Sequence, residues 1–412
     1  MRPYIVLFLW LWSTTSLAAQ SPTPRARDLG IPFDGTPGRF NAITDVAGVE
    51  VGHTTLISGN GPLVEGSGPV RTGVTAILPR GRAEGAPVFG GWFSLNGNGE
   101  MTGTTWLEES GVLKGPVLIT NTHSVGVTRD AAIQWMLKHH PGFLWALPVV
   151  AETWDGILND LNGFHVKPGH VFAALDGARS GRVTEGAVGG GTGMLCNGFK
   201  GGIGTSSRVL PSESGGFTLG VLVQCNYGSR RGLRIAGVPV GEEFVEPAIC
   251  LAGSTPSQRG WLSGMRRCGT QSSYRERPLP ELGSIIIVIA TDAPLLPHQL
   301  ERLVKRASLG LGREGSISSN GSGDIFVAFS TANRAAAGDT AQTSVQMLPN
   351  GKLDPLFAAT VQATEEAVTN AMVAAETMIG ADSIRAHRLP HDRLVSILRK
   401  HNRLASTPQG RR

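Results

Sequence analysis

The pattern of apolar positions is clearest around residue 284, where the character of the chain changes abruptly. Residues 284–290 read Ser-Ile-Ile-Ile-Val-Ile-Ala, with no polar residue after the serine. A run of β-branched residues bounded by turn residues is typical of a strand buried on both faces. Residues 252–283 are instead polar, basic and rich in Pro, Gly and Ser, which predicts a long exposed loop. We therefore predict an exposed loop that ends at Gly283 and a core strand that begins at Ser284.

The same kind of pattern predicts further elements on both sides of this junction. Apolar runs and alternations predict strands at residues 49–57, 72–78, 87–95, 117–120, 147–151, 217–224 and 324–330. Apolar stripes with cap signals predict helices from Thr128 to Pro141 and at residues 297–307, 354–379 and 391–404. Strands and helices do not alternate strictly, and this mixture favours sheets covered by separate helical layers.

Composition narrows the classes of function. The 412 residues are 41% hydrophobic and 17% charged, with a formal net charge of +5. Such a chain is long enough for one large domain or two modest ones. The charge is modest for this length, and neither an RNA-binding signature nor aromatic-basic interleaving is present, so we do not expect nucleic acid to bind.

The first residues have the features of an export signal. Arg2 supplies a positive start, residues 5–12 are apolar, and residues 16–19 offer small side chains for cleavage. This is the pattern of a secretory signal peptide, and its apolar core is too short to span a bilayer. We predict a signal peptide over residues 1–19, no membrane span in the later sequence, and a secreted protein, periplasmic if its source is a Gram-negative bacterium.

Neither the cysteines nor the glycine-rich stretch predicts a metal or cofactor site. Cys250 and Cys268 flank part of the polar loop and are placed to staple it, whereas Cys196 and Cys225 lie in apolar surroundings typical of buried thiols. The sequence has no CxxC or HExxH spacing. The glycine-rich residues 186–204 lack the GxxxxGK[ST] spacing, so we expect turns and close backbone packing there rather than a nucleotide.

The Gly283–Ser284 bond lies where a specific chemistry is available. If this bond is cut, the Ser284 hydroxyl and a new α-amino group belong to one residue. A free α-amino group, with a reference pKa near 7.7–8.0, can accept the hydroxyl proton near neutral pH. Before the cut, the hydroxyl can attack the Gly283 carbonyl and move the acyl group from nitrogen to oxygen. The alternative is an ordinary turn into a strand, because Gly-Ser occurs at several other places in the sequence.

Three further residues have side chains that suit a supporting role. Ser322 and Asp324 enter a predicted strand at i, i+2 spacing, which places both side chains on one face. A hydroxyl and a carboxylate so placed can orient an amine and relay a proton. Asn226 ends a predicted strand, and its amide can donate to an oxyanion. Each also has a structural alternative, since these residue types commonly cap or tie turns.

Several long motifs resemble the DmpA-type aminopeptidases, which include the β-peptidyl aminopeptidases. The resemblance covers about residues 28 to 380. The matching segments, in chain order, are LNGNGEMTGTTWLEESG, GGGTGMLCNGFKGGIGTSSR, VLVQCNYG, GSIIIVIATDAPLLPHQLERL and GSISSNGSGDIFVAFSTAN.

This resemblance implies a fold and a maturation step. It implies an α+β fold, an αββα sandwich of two sheets between helical layers that is also found in ornithine acetyltransferase. It further implies one catalytic domain over residues 20–405, cut before Ser284 into an α chain of about 20–283 and a β chain of 284–412, with 252–283 as the processing loop. Family members are usually homo-oligomers, often tetramers of such αβ units.

The resemblance also assigns roles to residues. Ser284 matches the nucleophile, Ser322 and Asp324 the supporting pair, and Asn226 the oxyanion donor. Glu152 matches a carboxylate that pairs with the ammonium group of the substrate, as an aminopeptidase requires. Trp154 stands where the family has Tyr, and an indole N–H lacks the hydroxyl of that residue.

We therefore expect a self-processing serine aminopeptidase without a cofactor. Its substrates would be short peptides, amides or esters with a free amino-terminal residue of the L, D-alanyl or β class. One alternative is an acyltransferase of the ornithine acetyltransferase type, although that family uses threonine as nucleophile and this chain has serine. A second alternative is a non-enzymatic periplasmic binding protein on the same fold.

Overall fold

The computed structural model describes residues 23–140, 145–244, 246–253, 259–260, 264–270, 283–334 and 342–405.

Two β-sheets pack face to face, and helices cover the outer face of each. The strands are β1 Glu50–Ser58, β2 Val70–Leu78, β3 Val88–Ser94, β4 Val112–Leu113, β5 Val117–Asn121, β6 Val149–Thr153, β7 Leu195–Cys196, β8 Phe199–Lys200, β9 Gly202–Val209, β10 Thr218–Asn226, β11 Cys250–Leu251, β12 Ser284–Thr291, β13 Gly323–Ser330, β14 Met378–Ile379 and β15 Ile384–Ala386. The helices are α1 Thr104–Ser110, α2 Val125–His139, α3 Pro168–Asp176, α4 Val240–Glu243, α5 Pro297–Val304, α6 Ala307–Arg313, α7 Asp354–Val373 and α8 His391–Lys400.

The predicted core strand, β12, lies inside the larger sheet. The strand order is β1-β2-β5-β6 in the first sheet and β4-β3-β13-β12-β10-β9 in the second. Strand β12 pairs antiparallel with β10 and parallel with β13. Each of its residues is buried, as the uninterrupted apolar run predicts.

Side chains of β12 alternate between two hydrophobic cores, because successive residues of a strand point to opposite faces. Ile285, Ile287 and Ile289 lie in the core between the second sheet and helices α5 to α7. Ile286 and Val288 lie in the core between the two sheets. A third core packs α2 and α3 against the first sheet. The layers follow the order α/β/β/α, which confirms the predicted α+β sandwich.

Several helix boundaries differ from the prediction. Helix α7 ends at Val373, and Ile379 instead lies in β14, where it pairs with Arg385 of β15. Helix α2 begins at Val125, so Thr128 is buried inside it rather than capping it. The helix predicted at residues 297–307 is divided between α5 and α6. At the end of α7, the tertiary pairing of Ile379 has overridden local helix propensity.

Strand β9 was not predicted, because polar residues interrupt its apolar pattern. Arg208 is nevertheless buried, with its guanidinium 2.8 Å from the Glu366 carboxylate of α7. Ser206 Oγ donates a 2.6 Å hydrogen bond to the Ala363 carbonyl of the same helix. These polar side chains are tolerated in the interior because each has a partner on the helix above.

Both pairs of cysteines form disulfides. Cys250 is bonded to Cys268, at the position where a staple of the polar loop was anticipated. Cys196 and Cys225 are buried as predicted, but they are also bonded, so the prediction of two thiols is wrong. Strand β7 lies beside the end of β10, and the two Cα atoms are 5.6 Å apart, a distance that a disulfide spans.

Two predicted segments fall largely outside the described residues. Residues 1–22 include the predicted signal peptide and are not described. Of the predicted processing loop, the structure describes residues 252–253, 259–260, 264–270 and 283. No helix in the described part of the chain is long and apolar enough to cross a membrane.

We predict that Ile287→Ala destabilises the protein strongly, since Ile287 is fully buried in β12. The expected loss in the free energy of unfolding is about 2–5 kcal/mol, because a cavity remains in the core. Urea denaturation would measure it. Ile57→Ala is the matched control: Ile57 is 56% exposed, and its loss should cost less than about 0.5 kcal/mol. Equal costs at the two positions would contradict the observed packing of β12.

Candidate active site

Ser284 is the first residue of β12 and lies between the ends of two neighbouring strands. The sheet register pairs it with Asn226 at the end of β10 and with Gly323 at the start of β13. Ser284 is only 4% exposed, and the Gly323 N–H donates a 3.1 Å hydrogen bond to its Oγ. The fold therefore gathers at one point the strand ends that the sequence analysis singled out separately.

Gly283 is packed too tightly for any other residue. A Cβ atom on Gly283 would lie 2.0 Å from the Asn226 carbonyl oxygen and 3.0 Å from the Tyr227 Cα. Gly283 is also buried, so the predicted exposed loop is not exposed at its last residue. The peptide bond before Ser284 is thus held inside the site, beside the end of β10.

Ser322 and Asp324 form a buried pair around Gly323. The Ser322 hydroxyl donates a 2.6 Å hydrogen bond to Asp324 Oδ1, and both side chains are fully buried. Their i, i+2 spacing places them on the same side of β13. Alternation along that strand puts Asp324 on the face of Phe326, toward the helices, whereas Ser284 shares the face of Ile286. The pair therefore lies at the start of β12 on the opposite face from the Ser284 side chain.

Asn226 is fixed at both ends of its amide. Its Oδ1 accepts a 2.8 Å hydrogen bond from the Leu195 N–H, and its Nδ2 donates a 2.8 Å bond to the Trp154 carbonyl. An amide NH₂ group has two hydrogens, so one N–H remains for another acceptor. These partners define which side of the amide is the donor.

Glu152 is a buried carboxylate near the end of β6. It is 3% exposed and accepts hydrogen bonds from the Glu100 N–H, at 3.0 Å, and the Thr122 hydroxyl, at 2.5 Å. Burial raises the pKa of Glu152, and these two hydrogen bonds offset part of the rise. Among the described residues, no cationic side chain pairs with this carboxylate.

A single glycine separates Glu152 from the Ser284 environment. A Cβ atom on Gly99 would lie 3.2 Å from Glu152 Oε1 and 3.3 Å from the Gly323 Cα. Gly323 in turn donates to Ser284 Oγ. The carboxylate and the hydroxyl are therefore parts of one site, although they come from different sheets.

Trp154 contributes its backbone as well as its side chain. Its carbonyl is the acceptor for the Asn226 amide. Its indole packs on the next turn, where a Cβ atom on Gly156 would lie 2.5 Å from the ring. The backbone role of Trp154 does not depend on the side chain, so it is unaffected by the absence of a tyrosine here.

Sequence reasoning missed the residues that hold these groups in place. Asn96 Oδ1 accepts a 2.6 Å hydrogen bond from the Asp324 N–H, and Asn98 Nδ2 donates a 2.8 Å bond to the Gly321 carbonyl. The motif that contains both, Leu-Asn-Gly-Asn-Gly, was part of the family resemblance, but nothing local indicated its partners. These contacts tie the loop after β3 to the strand that carries Asp324.

The described residues include one grouping of metal-ligating side chains. Cys250, Cys268 and His387 offer ligand atoms within 4.8 Å of one another. The two sulfurs are already bonded in a disulfide, so neither is available as a thiolate ligand.

Comparison with known proteins identifies the family. Residues 41–386 match the model of peptidase family S58. The chain belongs to this family. It is 56% identical over 392 residues to the beta-peptidyl aminopeptidase BapA of Sphingosinicella microcystinivorans. The aligned region covers 94% of this chain and 95% of that protein.

Solved structures agree with this assignment. The L-aminopeptidase D-Ala-esterase/amidase of Ochrobactrum anthropi, described as a prototype of the serine aminopeptidases and a variant of the Ntn hydrolase fold, superposes with a TM-score of 0.80 and 46% identity. A Burkholderia sp. beta-aminopeptidase gives 0.79 and 45%. Each covers 93% of this chain and 100% of the other. This S58 peptidase is therefore a hydrolase of the aminopeptidase type, which confirms the predicted family, fold and class of activity over the two alternatives.

We predict that Glu152→Gln changes the pH dependence of stability. The pKa of Glu152 is raised in the folded protein, so the folded state binds more protons than the unfolded state at intermediate pH. The stability that this group contributes is present at low pH and is lost as pH rises through the raised pKa. The free energy of unfolding of the native protein minus that of the variant should therefore fall with rising pH. Urea denaturation across pH would measure it, with exposed Glu109→Gln as control; a difference that is flat or rises with pH would contradict the burial of this charge.

Proposed function

We propose that this aminopeptidase cleaves its own chain between Gly283 and Ser284 and then uses Ser284 as an amino-terminal nucleophile. The observation that carries the proposal is the position of Ser284. It is buried at the start of a central strand, accepts the Gly323 N–H, and follows a glycine packed against Asn226. Cleavage would give an α chain of about 20–283 and a β chain of 284–412, within a single catalytic domain that ends near residue 405.

Self-cleavage proceeds through an ester. Ser284 Oγ attacks the Gly283 carbonyl carbon, the C–N bond breaks, and the hydroxyl proton passes to the departing nitrogen. Water then hydrolyses the ester, which restores the hydroxyl and leaves a carboxylate on Gly283. The product has an α-amino group on Ser284 with a reference pKa near 7.7–8.0, suitable for a base at neutral pH.

The mature site acts by the same acyl transfer on substrates. The Ser284 α-amino group takes the hydroxyl proton, the oxygen attacks the substrate carbonyl, and the proton passes to the leaving amine. The free N–H of Asn226 stabilises the tetrahedral oxyanion, while the Gly323 N–H remains on the Ser284 oxygen that attacks. Ser322 and Asp324, on the other face of β13, orient the α-amino group rather than the hydroxyl. Water hydrolyses the acyl-enzyme, and each step uses groups of this chain.

Glu152 recognises the ammonium group of the substrate. It is buried beside Gly99 and Gly323, so an ammonium bound to it lies near the Ser284 hydroxyl. A charge-assisted hydrogen bond in a buried site is strong enough to select free amino termini. We propose that Trp154, the residue after the same strand, contributes to substrate binding at the position where the family has tyrosine.

We propose amino-terminal β-amino acids as the preferred substrate class. The support is the full-length identity of 56% to a protein named beta-peptidyl aminopeptidase. The amide or ester of a short β-amino acyl compound is thus the first substrate to test. The L-aminopeptidase D-Ala-esterase/amidase of Ochrobactrum anthropi is 46% identical, which makes L- and D-alanyl compounds the necessary comparison.

Export and assembly complete the proposal. We propose that residues 1–19 are removed during secretion to the periplasm, and two disulfides support an oxidising compartment. We also propose a homo-oligomer, in the first instance a tetramer of αβ units, on the family resemblance. Amino-terminal sequencing of the exported protein and light scattering would test these two points.

The processing step predicts two chains in the purified protein and one in Ser284→Ala. Intact mass spectrometry should find a β chain that begins at Ser284, because the proposed attack on Gly283 uses the hydroxyl of that residue. Ser67→Ala alters an exposed serine of another Gly-Ser pair and should be processed normally. A native protein that remains whole, or a Ser284→Ala protein that is still cut at this bond, would contradict the proposal.

Recognition by Glu152 predicts that Glu152→Gln lowers kcat/KM by about 10- to 100-fold for substrates with a free ammonium group. The loss should be largest above the raised pKa of Glu152, where the native carboxylate is ionised. Kinetics on p-nitroanilides of a β-amino acid, L-alanine and D-alanine would measure both points, with the β compound expected to be fastest. An N-acetylated substrate is the control, since native and variant proteins should then be equally poor. Equal kcat/KM for the free substrates would remove Glu152 from the recognition site.

A further inference from the structure

Lys200 is a buried lysine that the proposed chemistry does not use. It is fully buried in β8, within the glycine-rich stretch for which the sequence predicted turns and close backbone packing. Among the described residues, no carboxylate oxygen lies within 4.0 Å of its ammonium nitrogen, in contrast to the buried Arg208. A buried cation without an anionic partner is costly, so its position calls for an explanation.

The partners of the Lys200 ammonium are backbone carbonyl groups. Nζ donates hydrogen bonds to the carbonyls of Gly201 at 2.7 Å, Met194 at 2.8 Å and Gly191 at 3.4 Å. An ammonium group has three N–H donors, so these three carbonyls match its capacity. The Lys200 ammonium therefore binds carbonyl groups at both ends of the segment from Gly191 to Gly201.

This segment holds Asn226. Strands β7 and β8 form a hairpin in which Leu195 is directly opposite Lys200. The Leu195 N–H donates the 2.8 Å hydrogen bond that fixes Asn226 Oδ1. Met194, whose carbonyl binds the lysine, precedes Leu195 in the chain. The ammonium thus acts on the peptide unit between Met194 and Leu195: it binds the oxygen, and the N–H of the same unit binds Asn226.

We propose that Lys200 is a positioning residue for Asn226. Lys200 polarises and fixes the Met194–Leu195 peptide, which keeps the Asn226 oxygen hydrogen-bonded to the Leu195 N–H. The NH₂ group of Asn226 then stays turned toward the substrate carbonyl that Ser284 attacks. The inference rests on the proposed role of Asn226 as oxyanion donor.

A cation suits this task better than a neutral side chain. A hydrogen bond from a charged donor to the carbonyl of a peptide strengthens the N–H of that peptide as a donor in turn. Burial lowers the pKa of Lys200 to about 7, so the ammonium form that donates to all three carbonyls predominates only below about that pH. A lysine that merely filled space could be replaced by methionine without loss of activity.

A double-mutant cycle tests the proposal. Lys200→Met should lower kcat by about 10- to 100-fold with KM changed by less than about threefold, because a transition-state donor is misaligned. In an Asn226→Ala background, where the target amide is absent, Lys200→Met should change kcat by less than about twofold. Exposed Lys138→Met is the control and should behave like the native protein.

The outcomes separate this inference from the proposed function. Full activity of Asn226→Ala alone would remove Asn226 as oxyanion donor, and the proposed mechanism with it. In a second outcome, Asn226→Ala lowers kcat strongly, and Lys200→Met lowers kcat by the same factor in this background as in the native protein. That result would leave the proposed mechanism intact but overturn the positioning role of Lys200. If the methionine variant does not fold, Lys200→Arg and Lys200→Gln replace it. The arginine variant should retain at least about tenfold more kcat than the glutamine variant, and equal values would overturn the proposal.

Discussion

The hydrogen-bonded register of β12 between β10 and β13 is the constraint on which the site depends. It places Ser284 level with Asn226 on one side and Gly323 on the other. A shift of one residue would turn every side chain of the strand to the opposite face. Because Ile285 and Ile286 belong to different hydrophobic cores, such a shift would move each side chain into the core that the other now occupies and disrupt the packing of both. Packing of the strand interior thus determines the geometry at its first residue.

Close backbone approach is the second feature of the site. Gly283 lies against the Asn226 carbonyl, and Gly99 fits between Glu152 and Gly323. These contacts bring the ends of strands from two sheets closer than side chains at those positions would allow. The high glycine content of the chain, 56 residues, is partly explained by such approaches. The hairpin that carries Lys200 also depends on backbone contacts, since the Lys200 ammonium holds a glycine-rich segment through hydrogen bonds to its carbonyl groups.

Much of the architecture could be predicted from the sequence, because the apolar run after Ser284 has one physical interpretation. Strands such as β10 and β13 were similarly recognisable. Strand β9 was not, because Arg208 and Ser206 are buried against partners that are distant in sequence. The end of α7 was misplaced because pairing of Ile379 with β15 is a tertiary contact.

The candidate site was predictable in its residues but not in its connections. The junction at Ser284 and the Ser322–Asp324 spacing are local signals, and Asn226 ends a recognisable strand. The roles of Glu152 and Trp154 came only from the family resemblance. The partners of Asn226, which are the Leu195 N–H and the Trp154 carbonyl, involve backbone atoms of residues 31 and 72 positions away. Every residue type except proline carries a backbone N–H as well as a carbonyl group, so the periodicity and spacing of side chains cannot predict these partners.

Trapping the acyl-enzyme would show directly whether Ser284 is an amino-terminal nucleophile. The protein is incubated with an activated ester of an unblocked β-amino acid, quenched in acid and digested, and the modified peptide is identified by mass spectrometry. The proposed mechanism predicts one acyl group on the hydroxyl of Ser284, in a peptide whose first residue is Ser284 with a free α-amino group. An acyl group on another residue, or on Ser284 within an uncut chain that turns over substrate, would contradict it.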